Sequence, residues 1–504
     1  MAVAFAADMA VTDVPAAGHV PLPDKGLKRG ALGYASNVVI AVASVAPGYS
    51  LAATLGLVVA VAGLQAPAVF LVAFVPMLLT AAAYKYMNQA DPDCGTTFSW
   101  VTRAFGPSAG WLGGWAIVVA DIVVMANLAA IAGSYTFLLF GWKSAAASTA
   151  AVTAVGVLWI AVMTLICYIG IELNAKTQRV LLTAELVILT LFAVWALVKA
   201  GVDAPKGHAA VSLSWFNPFA APTSSGFWDG VLLAVFIYWG WDSGVAVNEE
   251  SRDSRHGPGR AAVVSTFLLL LIYVVVTVAA QAYAGSQNLI NHSDDVLSYL
   301  GGRVFPSPVD KLLILAVLTS AAASTQTTIL PTARTTLSMA RQGAIPRIFG
   351  RVHPRFQTPD VSTVVMGVLS VAFYVLMTIV SENILVDTIA ALGFLIAFYY
   401  GLTGFACTWY YRRELRRDRR TFWLVGVAPT LGGLMLLALF IKALDYYGRK
   451  ANASTHVFGL GTPVVVGVGS LVLGVVVLLI TRPAVRTSFW RRRPEVADPA
   501  VLDT

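Results

Sequence analysis

Charge is scarce in this sequence. Only 12% of its 504 residues are Asp, Glu, Lys or Arg, against 58% hydrophobic residues and a mean hydropathy of +0.74. Soluble domains carry about a quarter charged residues, so a string of soluble domains is excluded. Cysteine is equally sparse: Cys94, Cys167 and Cys407 lie far apart with no CxxC spacing, which excludes a zinc ribbon and a disulfide framework. Histidines are few, with His256 and His353 in basic loops and His292 in another gap, and with the scattered serines they build no nucleophile–base or metal cluster. A P-loop is also missing. The expectation is therefore a protein that is no enzyme, holds no cofactor or resident metal, and carries no built-in ATPase. Lys and Arg number 34 against 26 Asp and Glu, and this surplus is spread through gaps between apolar runs, so no nucleic-acid footprint is expected.

What is abundant is the apolar run. Candidate spans cover 32–60, 66–86, 110–139, 152–171, 177–199, 227–248, 260–282, 309–333, 361–380, 384–409, 422–442 and 461–480, which makes twelve. A helix needs about 20 residues to cross about 30 Å of hydrocarbon, and most of these runs reach that length. The expected fold is an all-α membrane protein of twelve transmembrane helices. One set of gaps collects most of the basic residues: Lys25, Lys28 and Arg29, Lys85 and Arg103, Lys176 and Arg179, Arg334 to Arg355, six arginines between Arg412 and Arg420, and Arg491 to Arg493. Positive-inside bias then puts both termini in the cytoplasm, as an even number of crossings requires. Residues 1–28 read as a disordered cytoplasmic arm, 410–480 as two helices outside the core and 481–504 as a cytoplasmic tail. A short outer helix is expected around Val296 to Leu300, after Asp294 and Asp295.

Two runs break in the middle. The first contains Ser44-Val45-Ala46-Pro47-Gly48-Tyr49-Ser50, where proline has no amide and glycine tolerates non-helical angles. The sixth contains Tyr238-Trp239-Gly240-Trp241-Asp242-Ser243. Interrupted helices at matching places in two halves point to a midplane binding site and to an inverted repeat of five helices each, 29–200 and 226–409. Amides near Gly48 and Ser50 suit a carboxylate, and carbonyls near Ser44, Tyr238 and Trp239 suit an ammonium group.

Asp121 falls near mid-depth of the third run and Asp242 in the second break; intramembrane acids mark pathways, so both are candidates for receiving an amine or the coupling proton. Asn127 lies six residues beyond Asp121, about 120° around the helix at 3.6 residues per turn, so the two need not share a pocket. Ser320, Ser324 and Thr325 in the eighth run are candidates for coordinating sodium or for gluing helices. Glu185, within a turn or two of Arg179, reads as a structural or near-interface charge, with a functional role as the alternative. No lysine falls in the membrane interior.

Three stretches carry a family resemblance. Asp91-Pro92-Asp93-Cys94-Gly95-Thr96-Thr97-Phe98-Ser99-Trp100, continuing to Gly114-Trp115, is similar to a loop between helices two and three of the amino acid–polyamine–organocation superfamily of permeases. Tyr238 to Glu250, then Pro258 to Ala261, resembles its aromatic-Gly-aromatic-acid helix. Arg334 through Met339-Ala340-Arg341-Gln342-Gly343 to Thr358-Pro359 is the most specific match, and the resemblance covers about 28–480. It implies two inverted five-helix repeats plus two helices, substrate contacts from Pro47 to Ser50 and Tyr238 to Ser243, with Ala46 beside them, and Glu249 and Glu250 as gate or scaffold residues. The implied activity is secondary transport of an amino acid by alternating access across the cytoplasmic membrane, coupled to H+ or Na+, by a monomer or homodimer. A polyamine or other organic amine is the alternative substrate, and an amino acid sensor a further one. The sequence departs from the family where Gln342 replaces a frequent acid, where Cys94 replaces a small residue, and where the first break lacks Gly-x-Gly.

Overall fold

The computed structural model describes residues 24–497 apart from 204, 206, 294, 295, 382, 450, 451, 453, 454, 485 and 486. The expected arm up to residue 23, the pair Asp294 and Asp295, and the last residues of the tail lie outside that set. The first expected span forms two helices, α1 (Tyr34–Val45) and α2 (Pro47–Ala62), followed by α3 (Ala66–Ala90), α4 (Thr97–Phe105) and α5 (Pro107–Leu139). Next come α6 (Lys143–Ala146), α7 (Thr149–Ile169) and α8 (Ile171–Val202). The sixth expected span is α9 (Ser224–Phe236), an irregular turn, and α10 (Ser243–Ala246). The chain continues through α11 (Gly257–Asn291), α12 (Val296–Val304), α13 (Leu312–Gln342), α14 (Asp360–Val380) and α15 (Ile384–Tyr410). It ends with α16 (Arg419–Thr421), α17 (Ala428–Gly448), a two-residue hairpin and α18 (Thr462–Ala484).

Among the described residues ten helical stretches are long and apolar enough to cross a membrane. The count differs from the twelve runs for two physical reasons. The first two runs form one 57-residue stretch, Tyr34–Ala90, and the sixth is cut short at residue 236 by its own break. The short outer helix is present as α12.

Each break follows from its residues. Ala46 adopts φ 52°, and Pro47 then starts α2 at the position where a missing amide costs nothing. At the second break Gly240 takes φ +116°, a region that favours glycine, and a Cβ there would sit 3.0 Å from the Ser44 carbonyl carbon and oxygen. Gly244 approaches α1 as closely, with Asn37 O 2.8 Å from a built Cβ. The two breaks therefore touch at glycine. α13 packs against α1, α2, α5 and α8, and so backs both breaks. The helices α7, α8, α14, α17 and α18 turn Leu, Val and Ile side chains outward, among them Leu165, Leu191, Ile379, Ile441 and Leu479. An apolar outer surface of that kind suits lipid.

Gly240→Ala should lower the melting temperature of the detergent-solubilised protein, by the equivalent of about 1–3 kcal/mol of backbone strain. Gly302→Ala in α12, where an added Cβ meets nothing within 4 Å, is the matched control and should leave it nearly unchanged. Equal melting temperatures for the two variants would refute the close contact between breaks.

Candidate functional site

The site is built where the breaks meet. Ser44 Oγ and Ser243 Oγ share a hydrogen bond of 2.8 Å, and Ser324 Oγ on α13 donates to the Ser44 carbonyl at 2.8 Å. Asp242 accepts from Tyr400 Oη at 2.8 Å and from Tyr399 Oη at 3.1 Å, both on α15. Trp239 Nε1 donates to Tyr399 Oη, and Tyr273 Oη to the Ile237 carbonyl freed by the break. Tyr238 Oη bonds the Phe70 carbonyl at 3.1 Å, and Trp241 packs on Tyr84 and Tyr400 at ring distances of 4.9 and 5.0 Å. Asp121 accepts from Thr332 Oγ1, and it lies within electrostatic reach of Asp242, with Tyr84 and Tyr399 near both. Among the described residues, the side-chain partners of these two carboxylates are hydroxyls.

The first break is satisfied differently. Gly48 N–H donates to Glu185 Oε1 at 2.7 Å, Tyr49 N–H to Ser320 Oγ at 3.1 Å, and Ser50 N–H to the Ala46 carbonyl at 2.8 Å. Ser50 Oγ donates to the Val45 carbonyl at 2.7 Å, and Ser320 Oγ to Glu185 Oε1 at 2.8 Å. The amides expected to take a carboxylate are engaged by the chain itself. Of the three hydroxyl candidates on α13, Ser324 and Ser320 reach the first break, while Thr325 Oγ1 bonds Ala321 O within its own helix. Asn127, as its angle from Asp121 suggested, bonds elsewhere: it accepts from Tyr49 Oη and donates to Thr388 at 3.0 Å.

Glu185, read from sequence as an interface charge, is fully buried against Gly48. The signal for it was a stripe: Asn174, Gln178 and Glu185, spaced four and seven residues apart, share one face of α8, and all are buried. Tyr399, Tyr400 and Thr332 were also missed, and nothing local marks them.

A second cluster closes the arginine-rich end. Arg334 makes a two-pronged pair with Glu250 at 2.7 and 2.9 Å, both side chains almost wholly buried. Lys25 enters from the N-terminal segment, with its ammonium 2.8 Å from Asp93 and 2.6 Å from Glu249. Glu249 also accepts the Cys94 amide at 2.9 Å, and Asp93 accepts Gly95 N–H, Ser99 Oγ and Ser338 Oγ between 2.6 and 2.8 Å. Asp93, Cys94 and Glu249 bring potential metal-ligand atoms within 4.8 Å of one another, and the Lys25 ammonium stands among them as their cation. Leu32 lies opposite Ser251 in a parallel bridge, its N–H donating to the Glu250 carbonyl and its carbonyl accepting from Arg252 N–H, which straps the segment along the end of the second break. Removing one partner of a buried pair costs about 3–5 kcal/mol, whereas the exposed Lys28–Glu172 pair is screened by solvent. The buried pairs therefore hold this end.

Burial alone would push the Asp93 carboxyl up. The Lys25 ammonium outweighs it, with help from Ser338 and the Gly95 amide, and the pKa is lowered to about 2. Burial would lower the Lys25 pKa, and Asp93, Cys94 and Glu249 instead hold it well above its usual value. A depressed acid contributes stability above its unfolded value of about 3.9 and loses it as pH falls toward 2.

A model of the family described as "Amino acid permease" matches residues 32–479. The chain belongs to the amino acid permease family. As a family member of the amino acid–polyamine–organocation superfamily with many apolar helices, it is a multi-pass membrane protein. It is 26% identical over 340 residues to "Cationic amino acid transporter 4, vacuolar" of Arabidopsis thaliana, covering 64% of this chain and 54% of that relative. The chain thus spans about half the length of that plant protein. It is 21% identical over 400 residues to "Low-affinity putrescine importer PlaP" of Escherichia coli K12, covering 77% and 83%. It is 23% identical over 436 residues to an "Arginine/ornithine antiporter" of Latilactobacillus sakei, covering 81% and 88%.

Cys94 is buried at this closure and reports on it, because burial raises its thiol pKa well above the usual value and blocks alkylation. In a Cys167→Ala, Cys407→Ala background, Lys25→Ala should speed maleimide labelling of Cys94 severalfold. The parent should label slowly from pH 5 to 8, where Asp93 stays ionised. Equal rates with and without Lys25 would show that the lysine does not hold the closure.

Proposed function

We propose that this family member is a secondary active transporter that moves a small molecule bearing an amine, an amino acid or a polyamine, across the cytoplasmic membrane by alternating access. The carrying observation is the meeting of two helix breaks beside Asp121 and Asp242, intramembrane acids that share no ion pair with a Lys or Arg among the described residues. Relatives named for cationic amino acids, putrescine, and arginine and ornithine support an amine-bearing substrate. On this reading twelve crossings form two inverted five-helix repeats, 29–200 and 226–409, plus two outer helices, with both termini in the cytoplasm. The Lys25 and Arg334 cluster is then an inner gate in its closed state, and Glu249 and Glu250 are its acidic members.

Transport proceeds by exchange of two closures. Substrate draws Ser44, Trp239 and Asp242 together around its ammonium group, the inner gate releases Lys25, and one repeat rocks against the other. A proton is the coupling ion of choice, since acids at the site can carry it. The chain works as a transporter and not as an enzyme.

Uptake of radiolabelled amino acids and amines into proteoliposomes tests this reading. Asp121→Asn should lower uptake at least roughly tenfold or abolish its dependence on a proton gradient, since removing one charged partner costs several kcal/mol. Uptake should be equal in sodium and choline buffers. Unchanged uptake and pH response in the variant would remove Asp121 from the mechanism, and a sodium requirement would replace the proton.

A further inference from the structure

The three carboxylates around the breaks are not equivalent. Asp242 and Asp121 keep 5% and 3% of their surface accessible and bond to hydroxyls, whereas Glu185 is sealed at 0%. Glu185 Oε1 sits on the Gly48 amide at the amino end of α2, a 16-residue helix whose free N–H groups and dipole favour an anion. The next two amides of that end are taken by Ser320 and by Ala46. A Cβ built on Gly48 would lie 3.3 Å from Glu185 Oε1 and 3.5 Å from the Ala316 carbonyl, so no space is left there. Glu185 Oε2 is buried without a hydrogen-bond partner, and no basic side chain neutralises the group among the described residues. A ligand carboxylate brought to this helix end would meet the buried Glu185 carboxyl group and no free amide. A ligand ammonium would meet Asp242 and Asp121.

We propose that Glu185 is a specificity-determining residue that serves as an internal carboxylate: it occupies the amide end of α2, excludes carboxylate-bearing ligands and selects organic amines that carry none. The assignment rests on the transport reading above and names its substrate class. Diamines and guanidino-amines fit, having one cationic group for Asp242 and a second for Asp121.

Matched pairs differing only in the carboxylate test it: putrescine against ornithine, cadaverine against lysine and agmatine against arginine, as uptake into proteoliposomes holding the full chain. Wild type should favour the carboxylate-free member of each pair by roughly tenfold or more, as expected where a buried ligand carboxylate would find its hydrogen-bond donors already taken. Glu185→Ala frees the Gly48 amide and should narrow or reverse that preference by raising uptake of the amino acids. Glu185→Gln keeps an oxygen for Gly48 and Ser320 but removes the charge, so it carries the test if the alanine variant fails to fold, and it too should narrow the preference. Wild-type uptake of the amino acids at or above that of their decarboxylated partners overturns the assignment and leaves the transport reading standing. A preference unchanged in the folded variants also overturns it. No uptake of either series by folded, reconstituted protein overturns the transport reading and the assignment with it.

Discussion

The structure depends on two helix breaks being pressed together. Ser44 is the hinge of that contact: its carbonyl faces Gly240 and accepts from Ser324, while its hydroxyl meets Ser243. A break exposes carbonyls and amides that lipid cannot satisfy, and each unmet group costs several kcal/mol in hydrocarbon. Packing two breaks against each other, with α13 behind them, lets the hydroxyls of Ser320 and Ser324 and the phenol of Tyr273 meet those groups. The same packing leaves a polar island inside an apolar bundle, which is where a polar ligand can be held.

Electrostatics divides the molecule into two zones. At the arginine-rich end the buried acids Asp93 and Glu250 and the half-buried Glu249 are matched by Lys25 and Arg334, so that end is closed by internal cations. At the breaks, Asp121, Glu185 and Asp242 have hydroxyl and amide partners, and no internal cation pairs with them among the described residues. Matched charge makes a closure, and unmatched charge makes a site. On the proposed reading, that difference makes Lys25 a latch and leaves Asp242 and Asp121 to be matched by a ligand amine.

Much of this was legible in the sequence where the cause is local. Pro47-Gly48 and Gly240 announce the breaks because proline and glycine act on their own backbone, and α1/α2 and α9/α10 part at those positions. The separation of Asn127 from Asp121 followed from helix periodicity alone. Glu185 was only partly legible, since the stripe with Asn174 and Gln178 marks a buried face but not what it meets. Tyr399 and Tyr400 as partners of Asp242, 157 and 158 residues away, and Lys25 as partner of Glu249, 224 residues away, depend on which helices become neighbours. No spacing rule within one element encodes that.

The central claim is that the meeting of the breaks is where the ligand amine sits. The most direct measurement is a cryo-electron microscopy structure of the full chain in lipid nanodiscs with a saturating amine that it transports. The account predicts ligand density between Ser44 and Asp242, with the ammonium within hydrogen-bonding distance of the Asp242 carboxylate and Glu185 still on the Gly48 amide. Density elsewhere in the bundle, with Ser44 still in direct contact with Gly240 and Ser243, would contradict it.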